Sequence, residues 1–193
     1  MTGTQKPSET ARTLRADAAR NEDAVLQAAK DVFLKSGVDA PVREVASQAG
    51  VGLGTLYRRF PKRSDLIKAV FRREIDACAD AAQELKQTRE PRDALAEWLM
   101  RYAGFVGTKK GLATALHSGD DAYADLPAYF RDRFEPALAG LLDNAKNAGA
   151  TRADIKPYDL LRAIGNISMA EGDDRDAHVD QMVSLIIGGL LKP

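Results

Sequence analysis

Apolar residues recur along this chain at three- and four-residue spacing in segment after segment, the period of a helix with one buried face. Val25, Ala28, Ala29, Val32 and Phe33 make the first stripe, with Asn21 expected as its N-cap, Glu22 and Asp23 in the first turn, and Gly37 closing it. Val42, Val45, Ala46 and Ala49 make a second, opening at Asp39 or Ala40 with Pro41 in its first turn and stopping at Gly50. Leu53, Leu56, Tyr57 and Phe60 make a third, ended by Pro61. Ser64 is expected to cap a fourth helix, whose stripe of Ile67, Val70, Phe71, Ile75 and Cys78 continues toward Leu85.

Pro91 opens the next helix, with Leu95, Trp98, Leu99, Tyr102, Phe105 and Val106 on one face, and Lys109, Lys110 and Gly111 break it. A short helix from Leu112 to about His117 and a polar loop from Ser118 to Asp121 follow. A helix from Pro127 carries Tyr129, Phe130, Phe134, Leu138, Leu141 and Leu142 around an internal Pro136, which predicts a kink with room for a ligand beside it. After a turn at Gly149, Pro157 opens a helix with Leu160, Leu161, Ile164 and Ile167, and a last helix carries Val179, Met182, Val183, Ile186 and Leu190. No stretch reads as a strand and none repeats. The expectation is an all-α chain of about nine helices: a polar, flexible tail over residues 1–18, a three-helix domain over 19–63, and a larger helical domain over 64–193.

Composition narrows the class. Of the 193 residues 45% are hydrophobic and 29% charged, ordinary for a globular protein. No run approaches the ~20 apolar residues of a membrane span, and the first residues lack an apolar signal core, so a cytoplasmic protein is expected. The single cysteine, Cys78, excludes an internal disulfide and lies on an apolar stripe, where it reads as a small buried side chain. Net charge is zero but unevenly divided. Residues 1–63 hold 11 Lys plus Arg against 7 Asp plus Glu, giving +4, and the remainder 17 against 21, giving −4. A basic N-terminal part is the electrostatic footprint of a domain that binds nucleic acid.

The second and third stripes, joined by a glycine turn, describe a helix-turn-helix, whose second helix docks in the DNA major groove. Thr55, Tyr57, Arg58, Arg59, Lys62 and Arg63 gather hydroxyls and cations suited to phosphates, and arginine also pairs with guanine edges. Gly52 and Gly54 lack a Cβ and would let backbone approach the duplex. A dinucleotide fingerprint at Gly50, Gly52 and Gly54 is excluded by the absent preceding strand and the wrong spacing, and no Walker lysine follows a glycine.

The run A-G-V-G-L-G-T-L-Y-R-R-F-P-K-R-S-D-L closely resembles the signature of TetR-family transcriptional regulators, and the rest of the chain resembles the branch with an SbtR-like C-terminal domain. The resemblance implies a recognition helix followed by a helix that acts as the lever between ligand and reading head. Leu53, Gly54, Thr55 and Arg58 are then candidates for base edges, and Arg43, Gly52, Tyr57, Lys62 and Arg59 for phosphates. Arms such as Arg12 and Arg15 sometimes reach DNA as well. It further implies a homodimer on a double-stranded operator, with the last two helices pairing through Leu160, Ile164, Ile167, Met182, Ile186 and Leu190.

Aromatic residues concentrate between Trp98 and Phe134, as an apolar pocket for a small-molecule ligand requires. Trp98, Tyr102, Phe105, His117, Tyr129, Phe130 and Phe134 are the candidates for its lining, with Asn166, Ser168 and Met169 reaching from a later helix. An enzyme is not expected. His117 beside Asp120 and Asp121 has no second histidine, placed base or metal spacing, and no cofactor is implied. The expected function is a DNA-binding repressor released from a palindromic operator by its ligand. The alternative is a helical small-molecule binding protein whose DNA domain is vestigial.

Overall fold

The computed structural model describes residues 9–107, 121–152, 154–170 and 174–192, with side chains from residue 20 onward. Among them stand eight α-helices: α1 (Glu9–Ser36), α2 (Val42–Ala49), α3 (Leu53–Arg59), α4 (Arg63–Thr88), α5 (Pro91–Gly107), α6 (Leu126–Asn147), α7 (Pro157–Ser168) and α8 (Arg175–Leu190), with a 3-10 turn at Asp121–Tyr123. The described residues contain no strand, only an isolated bridge between Thr151 and Leu191. The fold is all-α. The short helix expected at 112–117, the break at 109–111 and most of the polar loop lie outside the described residues.

Three boundaries differ from the sequence expectation. Helix α1 begins at Glu9, inside the stretch expected as a tail, so Asn21 lies mid-helix and caps nothing. Residues 9–36 contain neither glycine nor proline and are rich in Ala, so propensity carries the helix where no apolar stripe marks it. Pro41 precedes α2 in an extended conformation instead of entering its first turn. Helix α4 begins at Arg63, and the Asp65 carboxylate accepts the Lys62 backbone N–H at 3.0 Å. This is the reach-back half of a capping box, and Ser64, the second residue of the helix, is not its N-cap.

The chain forms two compact units, residues 1–70 and 71–193, with α4 running through the boundary. In the first, Val25, Ala29 and Val32 of α1 meet Val45 and Ala46 of α2, Leu56 of α3, Phe60, and Leu66 and Val70 of α4 in one apolar core. The turns that close it require glycine: Gly37 has φ 80° and Gly50 φ 67°, backbone that side-chain-bearing residues rarely adopt. The Arg63 guanidinium donates to the carbonyls of Val38 and Ala40, pinning the α1–α2 loop.

The second unit is built around α5, which packs on α6, α7 and α8. Leu95, Trp98 and Leu99 of α5 are fully buried with Phe134, Leu138 and Leu141 of α6 and Ile164 of α7. Two of its buried polar tips bond backbone carbonyls. Trp98 Nε1–H donates to the Cys78 carbonyl of α4 at 2.9 Å, and the Tyr102 hydroxyl to the Leu161 carbonyl of α7 at 3.2 Å. Cys78 is buried, as its place on the stripe implied. Helix α6 carries Pro136 inside it.

Candidate nucleic-acid interface

Helix α2 stops where Gly50 turns left-handed, with Val51 N–H donating to Ala46 O at 3.0 Å, and α3 starts three residues later. Leu56 is the only buried residue of α3, anchored beside Phe60. Everything else on the helix faces water: Leu53, Gly54, Thr55, Tyr57, Arg58 and Arg59 are all exposed. Leu53 and Tyr57, one turn apart, are 44% and 46% exposed, large apolar groups that the domain's own core does not use.

The remaining groups on this face are polar and close together. Arg58 lies back along the helix, its Nε 3.3 Å from Gly54 O and an Nη 3.3 Å from Thr55 Oγ1, so Gly54, Thr55 and Arg58 form one cluster. Arg43 on α2 and Lys62 just beyond α3 are exposed as well. Gly52 has an ordinary φ of −67°, and a Cβ added there would meet only Thr55 Oγ1, at 4.0 Å. A Cβ added at Gly54 would meet nothing within 4 Å. Folding therefore does not demand glycine at either position.

Arg59 is turned elsewhere. Its Nε and an Nη donate to the two carboxylate oxygens of Glu22 on α1, at 3.0 and 2.7 Å, and the guanidinium lies 5.7 Å from the Phe60 ring centroid. The pair, 37 residues apart in sequence, left no local signal by which to find it. Arg63, counted by its sequence position with the cations of this face, is committed to the α1–α2 loop carbonyls.

The second unit gathers most of the aromatic set. Trp98 and Tyr102 stack with ring centroids 5.7 Å apart, and Phe134 stands edge-on to both. Phe130 and Phe105 pack on Phe134 at 4.6 and 5.4 Å. Burial pushes the Tyr102 phenol well above its ordinary pKa. Trp98, Tyr102 and Phe134 are fully enclosed and Phe130 is half-buried. Tyr129 is absorbed into a polar network between α4 and α6. Its hydroxyl sits 2.6 Å from Asp76 Oδ1, Arg133 bonds Asp76 and Asp80 at 2.6 Å each, and the Arg72 guanidinium lies 4.7 Å over the Tyr129 ring and bonds Asp125. Asn166 and Met169 are exposed, Ser168 is buried against the Ile164 carbonyl, and His117 lies outside the described residues.

The residues expected at a dimer interface divide by burial. Leu160, Ile164 and Leu190 sit in the protomer's own core, so they offer no surface to a second copy. Ile167, Met182 and Ile186 are half-buried. Leu185, missed in the sequence reading, is 63% exposed, and Met182, Leu185, Ile186 and Gly189 share one face of α8 by helical spacing. Among the described residues no cluster of three or more His, Cys, Asp or Glu is arranged to hold a metal, and no helix is long and apolar enough to cross a membrane.

Comparison with known proteins adds the family. Residues 25–70 match the bacterial regulatory proteins of the TetR family, and residues 90–192 match the SbtR-like C-terminal domain of transcriptional regulators. A TetR transcriptional regulator from Streptomyces coelicolor shares 35% identity over 88% of this chain and 98% of its own, with a TM-score of 0.74. One from Mycobacterium vanbaalenii shares 32% over 93% and 99%, also with a TM-score of 0.74. The regulator LfrR of Mycobacterium smegmatis, solved in complex with proflavine, shares the fold at 22% identity over 92% and 99%, with a TM-score of 0.64. Among curated relatives, an HTH-type transcriptional regulator of Staphylococcus aureus is 32% identical over 74 residues, 38% of this chain and 40% of that protein's length. With its helix-turn-helix and its C-terminal domain both matched, the chain belongs to the TetR family of transcriptional regulators, DNA-binding proteins that are not enzymes.

Proposed function

We propose that this regulator is a two-fold dimeric repressor that sits on a palindromic operator and is released by a small-molecule ligand. The observation that carries the reading is α3, a helix with one buried residue whose exposed face combines Leu53, Tyr57, the Thr55–Arg58 pair and two glycines that folding does not require. Leu53 would touch a thymine methyl, and Thr55 and Arg58 would bond base edges, with the backbone of Gly54 against the groove floor. Arg43, Tyr57 and Lys62, with the Gly52 backbone N–H, would hold phosphates and fix the register.

A single reading head covers few base pairs, and the Leu185 face of α8 gives a second copy an apolar surface to pair with. Two heads about 34 Å apart would then read successive major-groove turns. The ligand would enter beside the half-buried Phe130 and repack the aromatic cluster between α5 and α6. By binding better to the off-operator arrangement of the heads, it would weaken DNA affinity by that difference in affinities. Operator and protein would meet in the cytoplasm.

The test is a footprint of the purified protein on the DNA upstream of its own coding region, with and without aromatic and aliphatic candidate ligands. Protection of a two-fold symmetric site, relieved by one ligand, supports the reading. A site protected equally with every ligand, in a chain shown by calorimetry to bind one of them, contradicts release.

A further inference from the structure

The Arg59–Glu22 pair bears on how strongly the protein holds DNA of any sequence. Arg59 follows Arg58 on α3 and is exposed, so its sequence position presents it to a phosphate backbone. Its Nε and an Nη instead fork onto both oxygens of Glu22, the two-bond geometry that the same donors would make to a phosphate. The Phe60 ring lies against the guanidinium, and Glu22, Val25, Val51, Leu56 and Phe60 wall the small groove over which the pair closes. Glu22 is itself positioned by the buried Val25 and Leu26 that follow it on α1.

We infer that Glu22 is a positioning residue that withholds Arg59 from DNA phosphates and so sets a ceiling on sequence-independent binding. This rests on α3 being the DNA-reading helix. An exposed ion pair is weak on its own. Transfer of Arg59 to a phosphate, however, leaves the Glu22 carboxylate unpaired beside a line of negative charge, and that repulsion opposes the exchange. Non-specific affinity is dominated by the number of phosphates neutralised, so one withheld cation per head is a measurable quantity.

The experiment measures affinity for a random-sequence duplex between 50 and 200 mM salt, with thermal melts to confirm that each variant is folded. Glu22→Ala places a good helix former at a half-buried position of α1 and frees Arg59. The slope of log affinity against log salt should steepen by about 0.9 per head, an extra loss of about 12-fold across that range for a dimer. The double variant with Arg59→Gln, which carries neither group of the pair, should return the slope to the wild-type value. An unchanged slope in Glu22→Ala overturns the inference. So does a double variant that keeps the steeper slope of Glu22→Ala, which would mean that the added binding does not come from Arg59. A wild-type protein that binds no duplex at any salt overturns both this role and the reading of α3.

Discussion

At residue scale, the most informative atoms are the ones missing from Gly54. It sits in the first turn of α3 with open space where a Cβ would stand. Alanine there improves helix propensity by roughly 1 kcal/mol over glycine. Gly54→Ala should therefore melt at the wild-type temperature or above it, yet bind operator DNA at least 10-fold more weakly because the methyl holds the backbone off the groove. Equal affinity would show that nothing approaches that surface. Tyr57→Phe and Lys62→Ala should act differently, weakening operator and random duplex by the same factor, since phosphate contacts carry no sequence information. A loss confined to the operator in either variant would move that residue from the phosphate set to base reading. The chemistry of this face was legible in the sequence because its residues are neighbours. The Arg59–Glu22 pair was not, since nothing local marks a partner 37 positions away.

At the scale of elements, punctuation decided what could be read. Gly37, Gly50, Pro91 and Pro157 mark ends that the structure keeps, because each enforces or forbids a backbone conformation. The start of α1 had no such mark, and its first turns have propensity but no apolar stripe. Partner choice was harder still. Helices α7 and α8 are aliphatic on more than one side, so spacing alone did not separate the faces that bury Leu160, Ile164 and Leu190 from the one that exposes Leu185. The aromatic cluster was visible as composition, but Tyr129 turned from it toward Asp76, a carboxylate on a helix distant in sequence.

The buried Tyr102 gives the packing of α5 on α7 a signed pH dependence. Its pKa is raised in the folded state, mainly by burial, above the ordinary value near 10. The unfolded chain then releases this proton first. Its contribution is intact below about pH 10 and is lost as pH rises through the folded pKa. Urea melts of the wild type should weaken from about pH 10 upward more steeply than those of Tyr102→Phe. At neutral pH that variant should be less stable by about 1 kcal/mol, because the hydroxyl's bond to the Leu161 carbonyl is lost while the carbonyl keeps its helical donor. Parallel alkaline curves would remove Tyr102 as the titrating group.

At the scale of the whole molecule, the proposed dimer would read its operator with two heads acting together. Leu185→Glu places a charge in the apolar face of α8 without touching the protomer's core, so the protein should remain folded but sediment as a monomer. Operator affinity should fall by at least 100-fold, since one head makes half the contacts, while weak half-site binding persists. A dimer that survives the substitution would place the interface elsewhere.

The account turns on whether the exposed face of α3 reads sequence. The most direct measurement is selection of bound duplexes from a random-site library by the wild-type protein and by Gly54→Ala, followed by footprinting of the enriched sites. The wild type should enrich a two-fold symmetric site, with half-sites one helical turn or a small multiple of it apart, and the variant should bind that site at least 10-fold more weakly. Equal affinity of both proteins for the enriched site, or no enrichment by the wild type, would contradict a sequence-reading role for α3.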